Sequence, residues 1–388
     1  MLCESHKDML FKRASRGFAL GGIVLLGLGV AAVRVPRSST PQPVALAQRD
    51  AVHLPAVYRA VGVSLRPARA AKPKPARQAT PKAQPAPTAQ PAPKAQPKPK
   101  PKAQPQPTAS RIPAASGRAT ISLYEHTTRT ARLRIQGCEA AKRGVGGIVI
   151  LDFGQPAYNG HTYGTNLFSG RFAGNRKITR AMLAYALGYR RCLRRGSTLS
   201  ISLARGTSNY RPQVPSAYQA GRRWAREVHA LERLLARRGL SDHVTAAAAD
   251  DVEPAWDPTF HRTRDFFRGY RDAHTGHVLY NFGSLDGGVG SVWNARQIFF
   301  VASGMKYVAA IPEIYNHAMA KQWAELAHIA RHRYHRPLKF AGVMTQHTSS
   351  NHGMQPRDAH KTLVRALASV GRGVADVPAT MTNIRSAE

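Results

Sequence analysis

The chain has 388 residues, with 57 lysines and arginines against 21 acids and a formal net charge of +36. Apolar residues make up 43% and aromatics 7%, enough for one sizeable core, so the chain is not disordered throughout. Three cysteines exclude a disulfide-dense miniprotein and a multi-cysteine zinc module, and a single long apolar run excludes a polytopic membrane protein.

Residues 1–16 form a basic n-region carrying Lys7, Lys12, Arg13 and Arg16. Residues 17–33 follow as an uncharged apolar run of 17 residues, Gly17 to Val33. A positive flank ahead of such a run marks export, with the basic end left in the cytoplasm. The length suits a short spanning helix or a long signal-peptide core, so a retained anchor and a cleaved signal both stay open. Val30-Ala31-Ala32 is a tolerable cleavage site; Ala45-Leu46-Ala47 has the better composition but lies far past the run.

Residues 34–117 read as a linker. No acid occurs between Asp50 and Glu125, and residues 66–113 repeat proline with alanine, lysine and glutamine. Such a segment buries too little apolar surface to offset its ordering entropy, so it is expected to stay unfolded. Its prolines favour polyproline II, and at about 3.1 Å per residue the tract reaches at most roughly 150 Å. It reads as a spacer that also adheres to an anionic wall polymer.

Residues 118–388 carry 38 lysines and arginines against 18 acids, a net of +20. Arginine dominates, as it does in many proteins of high-GC genomes. No zinc finger, RNP-type strand or other nucleic-acid module accompanies the charge, so no specific nucleic-acid partner is expected. Apolar β-rich runs alternate here with amphipathic runs. Strands are predicted at 147–153, 199–204, 244–252, 277–282, 307–311 and 338–344. Helices are predicted at 177–193, 217–238, 259–273, 295–302, 318–333 and 359–368. Strict alternation with continuous apolar strands indicates a parallel sheet covered on both faces. At this length the fold class is α/β, a (β/α)8-type, TIM-like barrel. Six units are two short of eight; residues 119–135 supply one or two strands, or the barrel is irregular. An open doubly wound sheet is the alternative, but no glycine-rich nucleotide fingerprint follows the first strand.

Seven of the 18 acids fall at or just after predicted strand ends: Asp152, Asp250, Asp251, Glu253, Asp257, Asp286 and Glu313. In a parallel barrel those ends converge on the face that carries active sites. Turn and cap roles compete for two of them, since Asp257 precedes a proline and Asp286 precedes two glycines. The sharpest segment is 246–257, AAAADDVEPAWD. Alternate strand residues share a face, so Asp251 and Glu253 point one way and Asp250 the other. Two carboxylates on one face repel, which raises the pKa of at least one and suits a general acid. Glycosidic cleavage uses such a pair, and the indole of Trp256 could stack on a sugar ring.

Asp251-Val252-Glu253, together with Leu151-Asp152-Phe153-Gly154 at the end of the first predicted strand, resembles the secreted muramidases of glycoside hydrolase family 25. Thr345-Gln346-His347-Thr348 is similar to a late strand of that family. Residues 138–370 also resemble uncharacterised secreted glycoside-hydrolase-like barrels of high-GC bacteria, which often stand behind an anchor and a Pro-rich linker. The resemblance implies a barrel that hydrolyses cell-envelope polysaccharide. Ala249 stands where a chitinase-type D-x-D-x-E would place its first aspartate, which argues against a substrate-assisted mechanism.

Glu253 is therefore the expected acid, Asp251 or Asp152 the stabilising or nucleophilic carboxylate, and Glu313 the second-choice carboxylate. Expected substrate contacts are Asp250, Trp256, Asn281, Asp286, Tyr315, Gln346, Arg205, Asn209 and Tyr158. Tyr158 heads a polar aromatic loop with Asn159, His161 and Tyr163. His347, His352 and His360 lack recognised metal spacing, and no metal or other cofactor is expected. Trp224 and Trp323 lie inside helical periods and are expected in the core. Cys138 precedes the first predicted strand and Cys192 ends the next helix. A βα unit brings those two points together, so a disulfide is expected in an oxidising compartment. The expected partners are cell-wall glycan or anionic wall polymer, and the membrane through the N-terminal helix. A non-catalytic glycan-binding relative and a structural wall protein are the competing classes.

Overall fold

The computed structural model describes residues 117–387. The predicted anchor, linker and cleavage sites lie outside the described residues. Among the described residues no helix is long and apolar enough to cross a membrane.

Eight parallel strands form a (β/α)8 barrel. In chain order they are β1 (Thr120–Tyr124), β2 (Gly147–Asp152), β6 (Ile201–Gly206), β7 (Val244–Asp250), β8 (Leu279–Asn281), β9 (Val308–Ala310), β10 (Val343–Thr345) and β11 (Met381–Ser386). Three further strands, β3 (Gln155–Tyr158), β4 (Tyr163–Asn166) and β5 (Phe172–Gly174), make a small antiparallel sheet inserted after β2. The helices are α1 (Thr130–Lys142), α2 (Asn175–Cys192), α3 (Ala217–Arg237), α4 (His261–Asp272), α5 (Ala295–Ala302), α6 (His317–Arg333) and α7 (Pro356–Val370). Each follows one barrel strand and leads to the next.

Consecutive strands pair in parallel, and β11 returns to lie between β10 and β1. The ring closes between β9 and β10 through single bridges, Ala310 with Phe340 and Glu313 with Met344. Backbone bonds reinforce the seam, Ala341 N–H to the Ala310 carbonyl at 2.7 Å and Ile314 N–H to that of Met344 at 2.9 Å.

Period-2 alternation sorts each strand into an inward and an outward row. Large inward residues, Ile148, Ile150, Tyr280, Phe282 and Met344, face small ones, Ala204, Ala247, Ala249 and Ala341. The interior is filled, and the alanines of β7 make room for Tyr280 of β8 and for Phe282 just past it. The outward rows pack beneath the helices with Trp224 and Trp323, both buried.

β1 falls within 119–135, where one or two further strands are expected, whereas β11 carries no predicted strand. Thr120, Ser122 and Thr382 are buried hydroxyl residues rather than apolar ones. Ser122 and Thr382 share a hydrogen bond at 2.7 Å, and Ser122 Oγ accepts from Ile150 N–H at 2.8 Å. A pattern read for apolar residues passes over a seam satisfied by hydroxyls. The predicted aromatic loop at 158–163 is instead the turn of the β3–β4 hairpin.

Cys138 in α1 and Cys192 at the end of α2 form a disulfide, with Cα atoms 5.0 Å apart. The bond joins two helices of the outer layer.

Candidate active site

Strand pairing runs past the end of β7. Asp251 N–H donates to the Thr207 carbonyl at 2.8 Å, and Asn209 N–H donates to that of Asp251 at 3.2 Å. The inward row Ala247, Ala249 therefore continues to Asp251, and the backbone carries Glu253 above it at the mouth. Glu313, past the end of β9, comes in from two strands away. One carboxylate oxygen from each of Asp251, Glu253 and Glu313 lies within 4.8 Å of the others. Asp251 and Glu313 are buried, whereas Glu253 is half-exposed and faces solvent at the mouth.

Neighbouring groups fix these acids. The Asn209 carboxamide accepts from Glu253 N–H at 3.0 Å, donates to the Glu253 carbonyl at 3.0 Å and donates to Thr263 Oγ1 at 3.1 Å. Asp257 in turn accepts from Thr263 N–H and Oγ1, which ties the loop to the first turn of α4. Asp286 accepts from Ala255 N–H at 2.7 Å and holds the same loop from the β8 side. The Tyr315 hydroxyl donates to Glu313 Oε1. Asp152 sits buried at the end of β2, its Oδ1 accepting from Gly154 N–H at 2.9 Å.

The aromatic frame has two parts. Trp256 meets Tyr210 edge to face, with ring centroids 5.3 Å apart. Phe168, from the loop after β4, packs on Tyr124 of β1 at 5.1 Å and lies 6.0 Å from His126. Tyr124, His126 and Phe168 are not among the expected contacts.

The remaining expected contacts fall in three places. Gln346 lies half-exposed just past β10, and Trp256 and Tyr315 stay at the mouth. Asn209 and Asp286 turn their side chains onto the loop that carries Glu253. Tyr158 lies on the β3–β4 hairpin, its ring tilted 51° against that of Tyr163 with centroids 4.9 Å apart and its hydroxyl donating to the Gly160 carbonyl.

Arg205, Asp250 and Asn281 occupy outward positions, so the barrel wall separates them from the mouth. Arg205 lies 4.0 Å over the Trp224 ring and donates to Asn175 Oδ1 at 2.6 Å. Burial lowers its pKa to about 10, with Glu227 opposing the shift. Asn281 bonds to Gly283 and Val301. Asp250 opens onto a cavity of about 20 Å³ behind the strand, room for roughly one water. Burial raises its carboxyl well above the usual range, and the charges of Asp251 and Asp152 add to the shift. The sequence placed these three at strand ends correctly in sequence position, but a one-residue step reverses the face.

Three carboxylates at this spacing could ligate a hard divalent cation, or could share a proton between them. The histidines past β10 are bonded within the protein. His347 meets the Gly353 carbonyl and Gln355, and His360 meets the Val377 carbonyl.

No protein-family model matches the chain, and no curated protein does. Among solved structures, one described as a "putative alpha-L-fucosidase" from Bacteroides thetaiotaomicron is similar at 11% identity and a TM-score of 0.33. That likeness covers 74% of this chain and 91% of the other.

Proposed function

We propose that this protein cleaves glycosidic bonds by carboxyl acid catalysis, with cell-envelope polysaccharide as its substrate class. The observation that carries the reading is the meeting of Asp251, Glu253 and Glu313 within 4.8 Å at the carboxyl end of the barrel. Inverting enzymes need roughly 6.5–9.5 Å between carboxyl groups to admit a water, whereas retaining ones need about 5–5.5 Å. The retaining route is the one proposed. Glu253, reachable from solvent and beside two other acids, holds a proton and gives it to the leaving oxygen. Asp251, at the strand end, attacks or stabilises the cationic sugar carbon. Water then attacks that carbon while Glu253 takes its proton, Asp251 is displaced, and the sugar is released. Glu313, fixed by Tyr315, raises the cost of ionising Glu253. Export to the envelope is part of the proposal and rests on the basic flank and apolar run at the N-terminus.

A peptidoglycan zymogram and reducing-sugar release test this. Glu253→Gln should lower hydrolysis by about 10²–10⁴-fold while glycan binding persists. Chelation with EDTA should leave the rate unchanged. Binding without hydrolysis across roughly pH 4–8, where a tuned carboxyl could act, would replace the enzyme with a glycan-binding protein. Full activity in Glu253→Gln, with loss in Glu313→Gln, would move the acid to the other strand.

A further inference from the structure

Eight strands alternate with seven helices among the described residues, and none of those helices follows β11. Over the β11–β1 seam lies a groove of about 850 Å³. Its floor is the outward row of β1, Ile121 and Leu123, continued by Ala119, and α1 supplies one wall. Ile135 of α1 stands on this wall at 60% exposure, the more exposed of the two exposed large apolar residues among the described residues. Five arginines, Arg129, Arg132, Arg143, Arg171 and Arg385, surround the groove against a single lining acid, Glu139. The ion pairs Arg264–Asp265 and Arg271–Asp272 both lie on α4, well away in the chain.

Charge narrows the occupant. The chain from residue 51 to 124 contains no acid, and residues 118–388 carry a net +20, so neither the basic linker nor a second copy complements five arginines. From Ala119 to Glu125 the floor runs on the order of 20 Å at 3.3 Å per residue. An anionic headgroup complements the arginines, and a single acyl chain can lie along the apolar floor beneath it. We propose that this groove docks the barrel on an anionic phospholipid surface. The arginines take headgroup phosphates, and Ile135 with the outward row of β1 takes an acyl chain. The barrel then rests on its flank, with the acid cluster opening alongside the bilayer rather than into it.

Hydrogen exchange on the full chain, reconstituted in vesicles, tests the site separately from the N-terminal run and the lysine-rich tract. Phosphatidylcholine vesicles are compared with vesicles containing phosphatidylglycerol. Exchange across 119–142 should slow by about tenfold or more only with the anionic lipid. Each of Arg129→Gln and Arg143→Gln should cut that protection about fivefold. Arg385→Gln, on a different element, should act in the same direction, and Ile135→Asp should abolish the protection. Equal exchange in both lipids, protection confined to residues 66–113, or protection unchanged by these variants would each overturn the proposal. So would protection of α1 by an acidic amphipathic peptide but not by the vesicles.

Discussion

Two buried ionisable residues away from the mouth set opposite limits on stability. Glu125 follows β1 on its outward face, fully buried, and burial raises its pKa to about 7, with Arg132 and Gln136 opposing. The native state thus holds this proton more tightly than the unfolded chain. Its stability is greatest below the unfolded value of 4.5 and is lost as pH rises through 7, by on the order of 3 kcal/mol. Glu125→Gln should flatten this slope, so that the variant gains in Tm over the parent at pH 8 but not at pH 4. His277 acts in the other direction. Burial lowers its pKa to about 4, helped by His229, whose Nδ1 lies 3.3 Å from His277 Nε2. Stability from a neutral His277 is present above its ordinary 6.5 and disappears as pH falls towards 4. Thermal melts of His277→Gln from pH 8 to pH 4 should show a smaller acid loss than the parent. Identical pH profiles would mean that neither side chain keeps its buried setting in solution.

At the level of elements, glycines and a disulfide define how the outer helices meet. A Cβ at Gly188 of α2 would stand 1.9 Å from the Arg134 carbonyl oxygen of α1, and one at Gly137 would stand 2.0 Å from that of Tyr185. The two helices therefore cross backbone to backbone, and Cys138 and Cys192 bond beside that crossing. Gly188→Ala gains about 1 kcal/mol of helix propensity but forces the pair apart, at a cost of roughly 1–3 kcal/mol. Denaturant titration should show net destabilisation. In the chain-entropy account, closing a loop across 54 residues is worth about 4 kcal/mol. Cys138→Ser with Cys192→Ser should accordingly lower Tm by roughly 10 °C. Two free thiols in denatured, unreduced protein would show that the bond does not form. The long amphipathic α3 ends within a residue of its predicted boundary, since its apolar stripe is set locally. β8 and β10 are each only three residues long, half or less of their predicted spans, because a barrel wall ends where pairing ends and not where the apolar run does.

Across the whole molecule, charge is the property most open to solution tests. The basic tract at 66–113 and the basic barrel should both hold the protein on anionic wall polymer, weakened by salt because exposed charges are screened within ~8 Å at physiological strength. Sedimentation with purified walls at low salt should fall when residues 66–111 are deleted; no change would reduce the tract to a spacer. The barrel itself was legible in the chain because buried parallel strands must be apolar on both faces, and six runs such as GIVILD of β2 satisfied that rule. The same rule placed the acids at strand ends, and period-2 alternation paired Asp251 with Glu253. Local pattern went no further. It could not place Glu313 beside that pair, because β7 and β9 meet the mouth through ring closure. It gave β1 only as an option within 119–135 and missed β11, because the inward hydroxyls of that seam satisfy one another only after it has formed. It turned Asp250 away from Asp251 and Glu253, as the fold does, but could not tell Arg205 and Asn281 from mouth residues, since the facing of a side chain near a strand end depends on where pairing stops. Sequence determined the periodicities and the charge; closure of the barrel decided which polar groups share a site, because that proximity arises from long-range pairing rather than from neighbours in the chain.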